Sequence, residues 1–187
     1  QQQDYSDIKK YTGGYQYILS VSSIEPRKNH KNLIRAWNKI SARYPEYKLL
    51  LVGSHFDCFS DLAFNSKESS IIFTGYVDEN TLRSLYKSAS LFVYPTLYEG
   101  FGIPLLEAMA AGVPVITSDI EVITEVVKDC AVKINPRDYH ALSKAIDTVL
   151  SDNELRQNLT NKGLDRAELF SWNNPAQKMQ SLVNSLH

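Results

Sequence analysis

Two carboxylates, two adjacent cations and a pair of glycines are the residues of this chain whose types and spacing could do chemistry. Glu99 and Glu107 stand as Glu-x7-Glu in YEGFGIPLLEAMAAGVPVIT, with Gly100 and Gly102 between them. Glycines at these positions let a ligand approach the backbone closely. Pro104 suits the start of a helix, which Leu105, Leu106, Ala108 and Met109 carry towards an end at Gly112. The unpaired N–H groups at the start of such a helix, together with its dipole, favour an anion such as phosphate. An ionised carboxylate accepts two hydrogen bonds and therefore suits a vicinal diol such as a ribose edge. Taken singly, Glu107 reads as a complement to the helix dipole and Glu99 as a solvated loop residue. The whole arrangement reads as a site.

The second constellation is Arg27-Lys28, within Ser22-Ser23-Ile24-Glu25-Pro26-Arg27-Lys28-Asn29. It follows an apolar run at 17–21 and precedes a helix with Leu33, Ile34, Trp37 and Ile40 at three-to-four spacing. Loops at the carboxyl ends of parallel strands are where open sheets bind ligands. On its own the pair also fits two solvated surface cations.

Elements able to hold these groups alternate along the chain. Apolar runs at 17–21, 47–53, 71–74, 91–94, 113–117 and 131–134 read as strands, each followed by a helical pattern. Asp78 and Asp138 read as caps, the first for a helix with Leu82, Leu85 and Tyr86 as its buried stripe. The second helix carries Leu142, Ala145, Ile146, Val149 and Leu150. A helix at 122–127, a charged helix at 154–170 and a final one over 172–186 complete the set, with 56–65 a short helix or irregular stretch. The expected fold class is α/β: a doubly wound parallel sheet of about six strands with helices on both faces. Residues 1–14 read as a polar lead-in punctuated by Gly13-Gly14, and 15–187 as one domain.

Composition narrows the function. The chain has 187 residues, 43% hydrophobic and 22% charged, which suits a soluble globular domain. A net charge of −1 gives no support for a nucleic-acid or anionic-membrane surface. No apolar run approaches the ~20 residues that span a bilayer. Cys58 and Cys130 have no metal or redox spacing, so reduced thiols in a cytoplasmic protein are expected, and His55 reads as solvated. Asn158-Leu159-Thr160 is a chance sequon within a helical pattern. A G-x-G-x-x-G, a P-loop, an Asp-x-Asp and zinc spacings are all missing from the sequence. Tyrosines are scattered at core-like positions and do not interleave with a basic stripe. Neither a metal nor a cofactor is expected.

The Glu99-x7-Glu107 segment resembles the signature of retaining glycosyltransferases of family 4, which have the GT-B fold. SIEPRKNHKNLIRAW, YKLLLVG, FTGYVDENTLRSLYKSASLFVYPTLYEGFG and FSW resemble the same family in the same order, covering roughly residues 15–172. The resemblance implies the Rossmann-like nucleotide-sugar-binding half of a GT-B enzyme, whose donor is a GDP- or UDP-sugar. Arg27, Lys28 and Glu99 would be its catalytic residues, the two cations on the diphosphate and Glu99 on the transferred sugar. Ser22, Ser23, Gly75, Tyr76, Val77, Gly100, Phe101, Gly102, Ile103, Pro104, Leu105 and Glu107 would line the donor, with Glu107 on the ribose and the Gly75–Tyr76–Val77 backbone near the base. Glu125 falls where relatives also place a glutamate. One departure stands out: many relatives have Gly-Arg where this chain has Ser22-Ser23, so Arg27 would supply the missing charge. An acceptor saccharide or glycolipid would bind an N-terminal domain that this chain lacks, or a partner chain, and the full enzyme could associate peripherally with a membrane. The alternatives are a non-catalytic nucleotide-sugar-binding module and a nucleotide-sugar epimerase of the same fold.

Overall fold

Six short segments rich in Leu, Ile, Val and aromatic residues build one parallel sheet in the computed structural model, which describes residues 6–23, 25–53 and 70–170. The strands are β1 Gln16–Val21, β2 Tyr47–Val52, β3 Ile71–Gly75, β4 Leu91–Tyr94, β5 Val115–Ser118 and β6 Val132–Ile134. The helices are α1 Ser6–Thr12, α2 His30–Ile40, α3 Glu79–Ser88, α4 Ile103–Ala110, α5 Glu121–Val127, α6 Tyr139–Ser151 and α7 Asn153–Glu168. His55, Cys58, the stretch 56–65 and the expected helix over 172–186 lie outside the described residues.

β2 shows why the strands are apolar on both faces. All six of its residues are buried, as a parallel strand covered by helices on both sides requires. Alternate residues feed different layers. Tyr17, Leu19 and Leu50 join a core with Leu85, Phe92, Leu105, Met109 and Ile123. Ile18, Leu49 and Leu51 join the opposite core with Leu33, Trp37, Leu142 and Ile146. Asp78 caps α3 by accepting from the Thr81 amide at 3.0 Å, and Asp138 caps α6 by accepting from His140 and Ala141. The polar lead-in holds α1, whose Ile8 is buried in the first core.

Strand order is β3-β2-β1-β4-β5-β6. β1 pairs with β2 on one side, from Gln16↔Tyr47 to Val21↔Val52, and with β4 on the other through Ile18↔Leu91 and Leu19↔Phe92. The chain therefore changes its direction of travel across the sheet between β1 and β4. Loops diverge from a switch of this kind and leave a crevice at the strand carboxyl ends. The Arg27-Lys28 loop follows β1 and the glycine loop follows β4, so both leave the sheet at the carboxyl ends of the strands that flank the switch.

Gly53 controls how closely the β1 loop can approach. At φ +150°, a Cβ there would stand 1.8 Å from the Ser22 carbonyl oxygen. Gly53→Ala is expected to lower stability by about 3–5 kcal/mol, since backbone must shift in addition to the strained φ. Gly100 has nothing within 4 Å of its would-be Cβ. Gly100→Ala should therefore stay within about 0.5 kcal/mol of the parent. Denaturant midpoints at unchanged m-value read both, and equal effects would contradict the contact argument.

Candidate functional site

The β1 loop reaches the site through one tight turn. Pro26–Lys28 forms a single 3-10 turn, after which Asn29 takes the left-handed conformation at φ 63° and leads into α2. Asparagine tolerates that conformation better than most residues. Its side-chain amide donates to the Pro95 carbonyl at 2.9 Å and to the Pro136 carbonyl at 2.6 Å. The Leu97 amide and the Thr96 hydroxyl both donate to the Arg27 carbonyl, at 2.7 and 3.1 Å. Three of these bonds staple the loop after β1 to the loop after β4, and the bond to Pro136 ties it to the loop after β6. Residues about seventy positions apart in sequence are thereby held in register.

The staple brings Lys28 onto Glu99. The Lys28 ammonium is 8% exposed and donates to Glu99 Oε2 at 2.5 Å and to the Tyr94 hydroxyl at 2.7 Å. Tyr94, itself buried at the end of β4, donates to the same carboxylate oxygen at 2.7 Å. Arg27 reaches Glu99 Oε1 at 3.7 Å and bonds Glu25 at 2.6 Å, and Ser23 also donates to Glu25. Partial burial opposes ionisation of Glu99, yet hydrogen bonds from Lys28 and Tyr94 hold its carboxyl below the usual carboxylate range. Burial, followed by the hydrogen bond to Glu99 and then its charge, pushes the Tyr94 phenol up. A buried ammonium is tolerable only when paired and hydrogen-bonded, and here both conditions are met.

The glycine loop supplies backbone donors. Gly102 caps α4 at φ 93°, and a Cβ there would stand 2.9 Å from Ile123 and from Leu105. Among the described residues, the amides of Phe101, Gly102 and Ile103 have no hydrogen-bond partner. Pro104 has no N–H to give. The Leu105 amide bonds the Gly102 carbonyl at 3.0 Å, and its side chain is wholly buried. Among the described residues, the unpaired donors at this helix start are thus the amides of 101–103, while the Leu105 side chain packs in the core. Phe101 and Ile103 are exposed at 44% and 57%.

Glu107 lies apart from this cluster. Its Oε2 accepts from the Tyr86 hydroxyl of α3 at 2.9 Å. It lies between two surface cavities of about 440 and 430 Å³, one lined by Phe101, Ile103 and Phe170 and the other by Leu82, Arg83 and Tyr86. Gly75, at φ 71°, ends β3, Tyr76 is 85% exposed and Val77 is buried. The Gly75 carbonyl accepts from the Gly53 amide at 3.1 Å, and among the described residues no hydrogen bond from that loop reaches Glu99 or Glu107.

The structure thus brings Arg27, Lys28 and Glu99 into one cluster with Ser23 and Glu25, and sets Glu107 and the β3 loop to its side. Reading the sequence alone misses Tyr94 as a site residue and treats Tyr86 as core. The available signal was chemical: a buried tyrosine hydroxyl needs a partner, and strand ends are where charged partners lie. Among the described residues, no three His, Cys, Asp or Glu side chains could hold a metal ion, and no helix is long and apolar enough to cross a membrane.

Comparison with known proteins matches residues 1–166 to the family described as glycosyl transferases group 1. The chain is 37% identical over 177 residues to O-antigen chain mannosyltransferase B of Escherichia coli, covering 89% of this chain but 45% of that relative. Sucrose-phosphate synthase of Thermosynechococcus elongatus superposes with a TM-score of 0.81 at 28% identity, over 97% of this chain and 48% of that one. The C-terminal domain of a glycosyl transferase group 1 family protein from Francisella tularensis gives 0.75 at 25% identity, over 89% of this chain and 90% of that domain. With under half of the mannosyltransferase spanned, a solved C-terminal domain almost wholly matched and a family model covering most of the sequence, the chain belongs to the glycosyl transferases group 1 family and has the fold of a GT-B C-terminal domain.

Proposed function

We propose that this chain is the donor-binding domain of a retaining family 4 glycosyltransferase. It holds a nucleoside diphosphate sugar whose hexose passes to an acceptor hydroxyl in polysaccharide or glycolipid assembly. The observation that carries this reading is the buried Lys28 ammonium beside Arg27, at the switch between β1 and β4, with the unpaired amides of 101–103 on the neighbouring loop. The similarity to an O-antigen mannosyltransferase favours mannose as the sugar.

Chemistry follows from where charge develops. Cleavage of the bond between the anomeric carbon and the phosphate oxygen leaves negative charge on the diphosphate. Lys28, Arg27 and the loop amides stabilise that charge as it forms, in a site fixed before reaction. The acceptor oxygen bonds the anomeric carbon on the face that the phosphate leaves, and its proton passes to the departing phosphate oxygen. Glu99, oriented by Lys28 and Tyr94, accepts hydrogen bonds from the sugar's hydroxyls. The two glutamates belong to separate surroundings, Glu99 on Lys28 and Glu107 on Tyr86, and do not pair across one bond as glycosidase carboxylates do. This supports a same-face displacement without a covalent enzyme intermediate.

Calorimetric titration with UDP, GDP, ADP and their sugars tests the reading; a ligand at a hundred times its dissociation constant adds about 2.7 kcal/mol of stability. Binding of none of them would end it. Glu107→Gln keeps shape and can still accept from Tyr86. It should lower ribonucleotide affinity about tenfold and bind the 2′-deoxy form almost equally well. Unchanged affinity with a lowered melting temperature would assign Glu107 to the helix dipole instead.

A further inference from the structure

We infer that His30 is a positioning residue that presents the Ser22 hydroxyl as a hydrogen-bond donor to a diphosphate oxygen, an inference that rests on the donor-binding reading. His30 opens α2 and is 3% exposed. Its Nε2 lies 3.1 Å from Ser22 Oγ, while Nδ1 is buried with no partner among the described residues. A proton on Nδ1 would orphan a buried N–H, a rarer and costlier defect than an unused lone pair. The proton therefore sits on Nε2, which donates to Ser22.

That assignment decides what Ser22 can do. A hydroxyl has one proton and two acceptor lone pairs. With a lone pair taken by His30, the Ser22 proton is left to point elsewhere, and Ser22 is half-buried at the carboxyl end of β1. Its backbone cannot drift: the Ser22 amide donates to the Val52 carbonyl at 3.0 Å, and its own carbonyl rests against Gly53. Burial, then the positive charge of Lys28, holds the imidazole neutral by lowering its pKa to about 4. The loop thus combines two cations with one fixed neutral donor, at the place where the serine pair stands instead of a further cation.

Nitrogen-15 NMR of the ligand-free chain at neutral pH should show His30 as the neutral Nε2–H tautomer. Titration with GDP and UDP, beside the bare nucleosides, then reads function. Ser22→Ala and His30→Phe should each weaken diphosphate binding about tenfold or more, the size of a hydrogen bond to a charged acceptor, and leave nucleoside binding unchanged. The double variant should be no weaker than either single one, because both remove the same bond. His30→Gln, whose Nε2 can occupy the place of the imidazole Nε2, should restore most of the loss. Circular dichroism confirms folding, and Ser22→Ala keeps the test open if His30→Phe does not fold. An Nδ1–H tautomer overturns the inference, as does parent-like diphosphate binding by Ser22→Ala while Lys28→Ala loses it. If the parent chain binds no nucleoside diphosphate, the donor-binding reading falls as well.

Discussion

Lys28→Ala is expected to weaken nucleoside diphosphate binding by about a hundredfold, while the bare nucleoside binds within about twofold of the parent. A hydrogen bond to a charged group is worth roughly 1.5–3 kcal/mol, and Lys28 carries the least exposed cation beside the loop amides. Arg27 is more exposed and is shared with Glu25, so it cannot replace the lost ammonium. Stability should fall too. The Glu99 carboxylate would lose its shortest partner, and breaking a buried pair costs up to about 3–5 kcal/mol, less here because Arg27 stays nearby. The pH dependence has a definite sign. Glu99 has a lowered folded-state pKa, so its pairing stabilises the parent above the unfolded carboxylate value and is lost as pH falls through the folded one. The stability gap between parent and variant should therefore narrow below about pH 4. Calorimetry and denaturation across pH measure both effects. Equal losses for nucleoside and diphosphate would place Lys28 in the scaffold and not on the phosphates.

The 187-residue chain by itself is expected to bind its donor and to transfer almost no sugar. Every donor-side group named above lies within it, whereas it spans 45% of the similar mannosyltransferase. Each of the site groups named above among the described residues is assigned to the donor, and none of them to an acceptor. Holding two reactants in register accounts for about 7–11 kcal/mol of a barrier, so its loss suppresses turnover by several orders of magnitude. The measurement pairs calorimetry with a radiolabelled-sugar transfer assay, using a two-domain transferase as positive control. Robust transfer by this chain alone would falsify the donor-domain reading in its present form.

The element pattern was legible in the sequence because its causes are local. Runs such as Leu49–Val52 of β2 are apolar on both faces and must be covered on both sides, which favours a parallel sheet with helices on each layer. Asp78 and Asp138 cap where their side chains can reach the next amides, and Gly102 and Gly112 take positive φ at the two ends of α4. The candidate residues Arg27, Lys28, Glu99 and Glu107 were likewise visible from type and spacing. α1 was not, since a short polar helix is specified by packing more than by its own sequence.

Tertiary structure decided how these groups are used. Which loops meet depends on strand order, and nothing local in β1 or β4 records that they are neighbours. Only the assembled sheet joins Lys28 to Glu99 across 71 positions and lays the Tyr94 hydroxyl between them. Only packing puts Glu107 on Tyr86, leaves the His30 ring with one partner among the described residues, and buries the Leu105 side chain in the core. Side-chain periodicity sets which face a residue lies on. Its partner on that face comes from elements distant in the chain, and so the residue types were determined by the sequence while their pairing was determined by the fold.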